Sequence, residues 1–503
     1  MSEPFYITTA ISYPNGPPHI GHAYEAIAAD AIARFQRAQG RDVRFQTGTD
    51  EHGLKMTQAA RAENVEPRAF ADKMSRLFQS MCDTLNVSYD RFIRTSQPDH
   101  YAASQAIWKA MEERGDLYLD RYEGWYSVRD EAYYEEEELK VGEDGSKLSP
   151  HDTPVEWTVE ESWFFRLSKY QQPLLDHYAA NPDFIRPESR RNEVVRFVEG
   201  GLKDLSISRT SFDWGVPVPG GNHHVMYVWL DALTNYITGL GYPEETELWR
   251  RYWPANVHLI GKDVVRFHAV YWPAFLMSAG IALPRQVYGH GFLLSRGEKM
   301  SKSVGNVVDP MVLADRFGVD ALRYFLLREV SFGQDGSYSA EAIVTRANAE
   351  LANSFGNLAQ RTLSMIHKNL GGILPAAGEQ PEDLELAALV TSAVTREIPR
   401  AFEQLSFSVG LDAWLRAVFA CNAYIDAQAP WALKKTDPDR MAQVLGTLWN
   451  CIRALTTAVF PIIPASSEKL LRLIDAGEGG VPIEQPTPLF PRLELEEEPE
   501  PAA

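Results

Sequence analysis

Two histidines near the start of the chain, His19 and His22, lie on either side of Ile20 and Gly21, just after a turn rich in proline and glycine. Imidazole nitrogens can donate hydrogen bonds to phosphate oxygens, and glycine lets the backbone approach a ligand closely. A helix that begins here would add the partial positive charge of its amino terminus. The pair could instead only cap that helix, but two histidines beside such a turn favour the binding of a nucleotide polyphosphate.

A basic loop far downstream contains Lys299 and Lys302, with serines beside them and glycines at positions 297 and 305. A loop of this kind can close over a triphosphate and offset the charge that builds up on pyrophosphate as it leaves. Considered alone, it is more typical of solvated surface. Neither cluster offers a nucleophile for a covalent intermediate, so together they predict nucleotidyl transfer by positioning and electrostatics.

The elements around the histidines predict a β-α-β unit. Residues 5–11 form a short apolar run typical of a strand, and residues 22–39 repeat apolar side chains at helical spacing. Gly40 stands where a helix ends, and residues 41–49 predict the next strand. The histidines therefore lie at the first crossing from strand to helix, where such folds bind phosphates.

The composition is that of a globular protein of two or three domains, with 503 residues, 45% hydrophobic and 23% charged. A net charge of −19 excludes a surface that coats nucleic acid broadly, so any RNA-binding site must concentrate its positive charge locally. From about residue 340 onward, apolar side chains recur at helical spacing, which predicts a helical bundle. No apolar run reaches membrane-spanning length, and three sparse cysteines suit a reducing compartment, so we expect a cytoplasmic protein.

The HIGH motif at 19–22 and the KMSKS motif at 299–303 resemble those of class I aminoacyl-tRNA synthetases. Within that class, the chain is most similar to the methionyl-tRNA synthetase family, through the segments AISYPNGPPHIGH, YVWLDA, HLIGKDVVRFH and QAPW. The resemblance covers nearly the whole chain. It implies a doubly wound, parallel (Rossmann-like) α/β catalytic domain split by a connective insertion and followed by an all-α anticodon-binding bundle.

The domain boundaries follow from that resemblance. They are a catalytic domain of residues 1–115 and 225–298, a connective insertion of 116–224, a KMSKS loop and stem-contact region of 299–345, an anticodon-binding domain of 346–490 and a disordered acidic tail of 491–503. The insertion is too short for the second, editing site of the valine, isoleucine and leucine enzymes.

The resemblance also assigns residues to the active site. His19, His22, Lys299 and Lys302 are implied as catalytic residues, and Gly21, Gly261, Asp263 and Lys302 as ATP-binding residues. The implied methionine-binding residues are Ile11, Tyr13, Asp50, Trp229, Ala232, Tyr236 and His268. An aromatic-lined cavity suits a polarizable thioether, and a strand-end carboxylate such as Asp50 suits an ammonium group.

Several of these residues have plain structural alternatives when taken singly. Trp229 would be a core residue, His268 an internal histidine with satisfied hydrogen bonds, and Asp263 a helix cap. Leu233 differs from the proline that some family members have near this pocket, which leaves its local shape open.

The predicted bundle offers a candidate anticodon-binding surface. Asn357 and Arg361 are four residues apart on one helical face, and Pro430 and Trp431 match the family's stacking element. Splayed anticodon bases are recognised by aromatic stacking and by hydrogen bonds to their edges. The alternative is a Pro-Trp helix start that packs on the bundle.

A structural zinc ion is not expected. Many family members hold zinc through Gly-Trp-Tyr-Cys-x-x-Cys, but the corresponding residues here, 124–130, contain no cysteine. Cys82, Cys421 and Cys451 are too far apart in sequence for a zinc knuckle.

The implied reaction joins methionine to ATP, accompanied by Mg²⁺, to form methionyl-adenylate, and then transfers the methionyl group to the 3′-terminal adenosine of tRNA(Met). Because the chain ends shortly after the bundle, without the dimerising module of some family members, a monomer is expected. Two rivals are another HIGH-bearing nucleotidyltransferase, which would not need the bundle, and a non-catalytic RNA-binding paralogue. Such a paralogue would typically lose motif residues, and both motifs are intact.

Overall fold

The computed structural model describes residues 2–130, 132–142, 145–221, 223–295, 298–299 and 307–495. The chain divides into two compact units. The first comprises Met1–Ala29, Gly40–Asp83 and Val87–His290, and the second comprises Asp30–Gln39, Thr84–Asn86 and Gly291–Ala503.

The first unit contains one parallel sheet and smaller antiparallel sheets. Its strands are β1 (Pro4–Thr9), β2 (Asp42–Thr49), β3 (Arg91–Arg94), β4 (Leu117–Ser127), β5 (Ala132–Tyr134), β6 (Lys140–Val141), β7 (Lys147–Leu148), β8 (Glu156–Phe165), β9 (Ile185–Arg186), β10 (Leu205–Ser206), β11 (Ser208–Arg209), β12 (Val225–Met226), β13 (Val257–Gly261) and β14 (Val287–His290). Six of them form a sheet in the order β3-β2-β1-β13-β14-β9. Every pair is parallel, with Ile7 opposite both Phe45 and Val257.

Helices flank this sheet. They are α1 (Ile20–Ala38), α2 (Leu54–Ala62), α3 (Pro67–Thr84), α4 (Pro98–Glu113), α5 (Gln171–Ala180), α6 (Glu188–Glu199), α7 (Val228–Thr238), α8 (Glu247–Tyr252) and α9 (Trp272–Ala279). The central strands are buried along nearly their whole length, as in parallel sheets covered on both faces. The predicted α/β fold is therefore confirmed.

Helix α1 begins earlier than the apolar periodicity predicts, and strand β1 ends earlier. The strand stops at Thr9 and the helix starts at Ile20, so His22 lies inside its first turn. The helix starts earlier because the side chains of the two histidines accept hydrogen bonds from backbone amides at its start. Gly40 follows the helix with a φ of 80°, the left-handed conformation expected of a glycine at a helix end.

The segment 116–224 carries its own antiparallel sheet, in the order β10-β8-β4-β5. Strands β4 and β8 pair along ten residues of each strand, from Leu117 opposite Phe165 to Tyr126 opposite Glu156. Strand β9 also lies in this segment, yet it is the edge strand of the parallel sheet, beside β14. The segment is thus joined to the catalytic sheet by pairing as well as by its ends, and the exact domain boundaries stay a prediction.

The second unit is mainly helical. Its helices are α10 (Pro310–Phe317), α11 (Val319–Glu329), α12 (Ala340–Arg346), α13 (Asn357–Asn369), α14 (Pro381–Ser392), α15 (Ile398–Glu403), α16 (Phe407–Gln428), α17 (Pro430–Thr436), α18 (Pro438–Val459) and α19 (Pro464–Asp475). Short strands β15 (Leu293–Ser295), β16 (Glu298–Lys299) and β17 (Gly336–Tyr338) form a small sheet. The predicted carboxy-terminal helical bundle is confirmed.

A fully buried ion pair lies at the centre of the second unit. The Arg323 Nη2 atom is 2.6 Å from an Asp30 carboxylate oxygen, and the same guanidinium donates to the carbonyl oxygens of Pro461 and Ile462. Buried charges are tolerated when their hydrogen bonds are satisfied in this way. Among the described residues, no helix combines the length and apolar composition that crossing a membrane requires.

Candidate active site and anticodon-binding surface

The two histidines of the HIGH motif cap helix α1 reciprocally. The Gly21 amide donates to His19 Nδ1 over 3.0 Å, and the His19 amide donates to His22 Nδ1 over 3.1 Å. Each ring thus satisfies one backbone N–H that the first turn of a helix leaves without an intrahelical partner, in the manner of a capping box. The capping alternative and the phosphate-binding role are therefore compatible, because they use different ring nitrogens.

This geometry fixes the tautomer of both rings. Since Nδ1 accepts a hydrogen bond in each histidine, the proton of the neutral imidazole resides on Nε2. The rings lie against each other, with centroids 3.9 Å apart. Gly21 serves this arrangement directly, because a Cβ atom there would lie 2.8 Å from His19 Cε1. The sequence predicted instead that Gly21 allows approach to the ligand.

Asp50 follows β2 at the carboxyl edge of the sheet. Its amide donates to the Ser12 carbonyl over 2.9 Å, and the Ser12 amide donates to that of Gly48 over 2.9 Å. These bonds tie the segment after β1, which holds Ile11 and Tyr13, to the end of β2. Residues predicted from two separate motifs are thereby brought side by side.

The next residue, Glu51, is fully buried but does not face the pocket as an available acid. Arg94 holds it with two hydrogen bonds of 2.7 and 3.0 Å, and the hydroxyl of Thr49 donates to it over 2.8 Å. The two adjacent carboxylates thus have different surroundings, since Glu51 is held by Arg94 whereas the Asp50 carboxyl lies near Tyr236.

Helix α7 presents Trp229, Ala232 and Tyr236 at helical spacing. The Tyr236 hydroxyl donates to His268 Nε2 over 2.6 Å, because His268 Nδ1 donates to the Val264 carbonyl over 2.9 Å. Burial raises the pKa of Tyr236 well above 10, and the carboxyls of Glu25 and Asp50 add to this. Two of the predicted pocket residues are thus in direct contact, and two carboxyls lie near them.

His268 is fully buried and neutral. Burial lowers its pKa from 6.5 to about 4, against the opposing effects of the Val264 carbonyl and Asp263. A neutral imidazole paired with a phenol suits an uncharged thioether better than a cation would. The internal-histidine alternative is correct about its hydrogen bonds, but the ring also faces Trp229, with centroids 6.1 Å apart.

Phe267 was missed by the sequence analysis, although it immediately precedes His268. Its ring stacks on Trp229, with centroids 3.8 Å apart and planes 7° apart. Trp229 is only partly buried, which distinguishes it from core tryptophans such as Trp272. Its position next to a predicted pocket histidine is the sequence signal that could have identified it.

The end of β13 supplies Gly261 and Asp263. Asp263 is exposed and lies within the short 3₁₀ helix Lys262–Val264, whose N-cap residue is Gly261. Its carboxylate folds toward Gly261, where a Cβ atom would lie 2.8 Å from it. The nearby pair of Glu25 and His290, 2.8 Å apart, was also missed, since β14 brings His290 to α1 from far along the chain.

The KMSKS motif lies mostly outside the described residues. The backbone of Lys299 pairs with Leu294 in the small sheet of the second unit. Lys302 is not among the described residues. The roles of both lysines therefore stay predictions.

The anticodon residues lie in the second unit, where α13 begins at Asn357 and α17 begins at Pro430. Asn357 is exposed, and Arg361 donates to Asn422 and Asp426 over 3.2 Å in each case. Trp431 keeps 50% of its surface exposed. The Pro-Trp helix start is confirmed, but half of the tryptophan surface is exposed instead of packed on the bundle.

Two family models match the chain in succession. Residues 5–363 match the class I tRNA synthetases (M), and residues 374–489 match the anticodon binding domain of methionyl tRNA ligase. The chain belongs to the methionyl-tRNA synthetase family. Within this family, the methionine–tRNA ligase of Brucella suis is 57% identical, over 97% of this chain and 98% of that protein.

Solved structures of the family agree with this assignment. The Mycobacterium tuberculosis methionyl-tRNA synthetase in complex with methionyl-adenylate has a TM-score of 0.94 and 54% identity, covering 97% of this chain and 100% of that chain. The free form of that synthetase has a TM-score of 0.88 and 50% identity, covering 99% of each chain.

The segment 124–130, for which the sequence predicts no zinc site, ends in a hydrogen-bonded cluster around Asp130. One oxygen of Asp130 accepts from the hydroxyls of Ser149 and Thr153 over 2.6 Å and from Tyr134 over 2.9 Å. Ser127 contacts Thr153 over 2.6 Å. In the described part of the chain, no group of three or more histidine, cysteine or acidic residues could hold a metal ion.

The fixed tautomer of His19 leads to a testable prediction. In His19→Asn, the amide oxygen can replace Nδ1 as the helix cap, but nothing replaces Nε2–H. In His19→Gln, the amide reaches toward the position of Nε2, but the cap is lost. We expect the asparagine variant to keep the wild-type melting temperature and lose about 10²- to 10³-fold in adenylation rate. The glutamine variant should retain more of the adenylation rate but have a lower melting temperature.

Calorimetry measures the melting temperatures, and pyrophosphate exchange measures the adenylation rates. An asparagine variant more active than the glutamine variant would contradict the assignment.

Buried neutral His268 makes stability depend on pH. Between pH 6.5 and about 4, the unfolded chain binds a proton at this residue that the folded chain does not. The free energy of unfolding should therefore fall as the pH drops through this window, by up to about 1.4 kcal/mol per pH unit for this group. Urea unfolding followed by tryptophan fluorescence at pH 7, 6 and 5 measures the slope. His268→Gln should show a shallower slope than the wild type, and identical slopes would refute the prediction.

Proposed function

We propose that this protein activates methionine with ATP and transfers the methionyl group to the 3′-terminal adenosine of tRNA(Met). The observation that carries the proposal is the direct contact between Tyr236 and neutral His268, with the Asp50 carboxyl close enough to raise the pKa of Tyr236. Relatives 54–59% identical over nearly their full length are methionine–tRNA ligases. The activity follows from the site and from the family together.

In the activation step, a methionine carboxylate oxygen attacks the α-phosphorus of ATP, and the bond to the bridging oxygen of pyrophosphate breaks. His19 and His22 donate from Nε2 to phosphate oxygens, and the amino terminus of α1 adds its partial positive charge. Lys299 and Lys302 offset the charge on departing pyrophosphate. Mg²⁺ would enter with ATP and would neutralise part of the charge on its phosphates.

Methionine recognition divides between charge and shape. The Asp50 carboxylate accepts hydrogen bonds from the substrate ammonium group. The thioether contacts aromatic and small side chains at the pocket wall, with His268 and Tyr236 offering no net charge. The residues proposed to line this part are Ile11, Tyr13, Trp229, Ala232, Tyr236 and His268, to which the structure adds Phe267.

Adenosine is proposed to bind at the ends of β13 and β14. Gly261 allows the nucleoside to approach the backbone, and the exposed Asp263 carboxylate accepts hydrogen bonds from ribose hydroxyls. The transfer step then moves the methionyl group from the adenylate to the terminal ribose hydroxyl of the tRNA, which releases AMP.

The anticodon is proposed to bind where Asn357, Arg361 and Trp431 are presented by the second unit. An exposed tryptophan offers a face for a splayed base, and the amide and guanidinium offer hydrogen bonds to base edges. The contacts of Arg361 with Asn422 and Asp426 hold its guanidinium in a defined position before tRNA binds. The absence of structural zinc, a monomeric state and a cytoplasmic location stay predictions.

The test of the function is ATP–pyrophosphate exchange with each of the twenty amino acids. Exchange that depends on methionine alone is the expected result. Exchange with a different amino acid would refute the pocket assignment. No exchange with any amino acid would favour the non-catalytic RNA-binding rival.

The anticodon assignment predicts a specific effect of Trp431→Ala. Because base stacking on an aromatic ring contributes about 1–3 kcal/mol, KM for tRNA in aminoacylation should rise by about five- to 150-fold. Methionine-dependent exchange, which needs no tRNA, should keep its rate. Leu384→Ala is a matched control, since Leu384 is an equally exposed apolar residue on α14, with 57% of its surface exposed. An unchanged KM for tRNA in Trp431→Ala would remove this residue from the surface.

A further inference from the structure

A fully buried carboxylate lies on α7 between two of the proposed methionine-pocket residues. Asp231 Oδ2 accepts from His52 Nδ1 over 2.6 Å, and Oδ1 accepts from His100 Nε2 over 2.7 Å. All three side chains are at most 1% exposed. Burial alone would raise the pKa of Asp231, but its contacts with His52 and His100 outweigh burial and hold the pKa below its ordinary value. This carboxylate is therefore ionised at neutral pH.

The two histidines extend the network to other elements. His52 Nε2 contacts the Tyr101 hydroxyl on α4 over 2.9 Å, and His100 Nδ1 contacts the Thr238 hydroxyl near the end of α7 over 3.0 Å. A short edge-to-face contact also places Trp214 against His52. The histidine rings thus cannot move without displacing several partners, of which Asp231 and Thr238 are buried.

The same network reaches the proposed binding residues from both sides. His52 is two residues after Asp50 in the loop that follows β2, and its carbonyl oxygen accepts from the Tyr13 hydroxyl over 2.8 Å. Asp231 is two residues after Trp229 and precedes Ala232. One carboxylate therefore ties the loop proposed to bind the ammonium group to the helix proposed to bind the side chain.

We propose that Asp231 is a positioning residue for methionine, which acts through His52 to fix the distance between the Asp50 loop and the pocket face of α7. The inference rests on the proposed function and deepens it by separating methionine affinity from ATP affinity. The two ends of an amino acid are bound by different elements here, so their spacing decides how well one ligand satisfies both. The histidines proposed to bind ATP phosphates accept hydrogen bonds from backbone amides at the start of α1, which is a different helix.

The first experiment compares Asp231→Asn with the wild type in methionine-dependent exchange. The amide keeps the size of the carboxylate but can accept from only one of the two histidines, because its nitrogen is a donor. We expect KM for methionine to rise about tenfold or more, while KM for ATP changes by less than about threefold. Equal increases in both constants, or no change in either, would overturn the proposal.

Asp116→Asn is the matched control for buried charge. Asp116 is also fully buried in the first unit, and it accepts from Lys169 over 2.6 Å and from Ser278 over 2.7 Å, but it contacts none of the proposed binding residues. Its substitution should lower the melting temperature and leave KM for methionine within about twofold of the wild type. If it raised KM for methionine as much as Asp231→Asn does, the effect would be one of general stability, and the proposal would fail.

A second pair of variants keeps the proposal testable if Asp231→Asn does not fold. His52→Asn retains an amide N–H near the position of Nδ1, whereas His52→Ala retains none, and both lose the contact with Tyr101. The difference between them therefore isolates the hydrogen bond to Asp231. We expect the KM for methionine of the asparagine variant to stay within about threefold of the wild-type value. The KM of the alanine variant should be about ten times the wild-type value. Equal values for the two would overturn the proposal. Lack of any methionine-dependent exchange in the wild type would instead refute the proposed function.

Discussion

The register of the central parallel strands is the constraint on which the site depends. With Ile7 opposite both Phe45 and Val257, β1, β2 and β13 end at one edge of the sheet. Parallel strands also place the amino termini of their following helices at that edge, where the HIGH histidines begin α1. A slip of one residue in any of these strands would turn its side chains to the opposite face of the sheet. Asp50, Gly261 and the start of α1 therefore lie at the same edge of the sheet.

Burial keeps a group near the proposed site neutral, except where hydrogen-bond partners stabilise its charge. His268 is buried with hydrogen bonds that suit a neutral ring, so burial keeps it uncharged. Asp231 is buried just as deeply, but it accepts hydrogen bonds from a histidine on each carboxylate oxygen, and these contacts lower its pKa. Desolvation is opposed only where partners converge on the charge. The proposed methionine site thus combines a neutral histidine with a carboxylate whose hydrogen bonds are already made.

The sequence predicted the parts of the site that depend on local order and missed those that depend on distant pairing. The β-α-β start, the helix end at Gly40 and the helix start at Pro430 follow from short-range patterns, and the structure has all three. The pairing of Glu25 with His290 joins residues 265 positions apart, so no window of sequence contains both. The sequence alone also allowed the two histidines to be helix caps instead of phosphate ligands. Only the geometry shows that one ring nitrogen serves the helix and leaves the other to carry the proton.

The cluster around Asp130 shows how a loop can keep its shape without thiolate ligands. Burial would raise the pKa of Asp130, but hydrogen bonds from Ser149, Thr153 and Tyr134 outweigh it and hold the pKa below its ordinary value. A carboxylate only accepts, whereas hydroxyls both donate and accept, so Thr153 can donate to Asp130 while Ser127 donates to Thr153. The charge at the centre is thus the common partner of side chains from both arms of the loop. Directional hydrogen bonds to one anion can therefore hold the two arms of such a loop together.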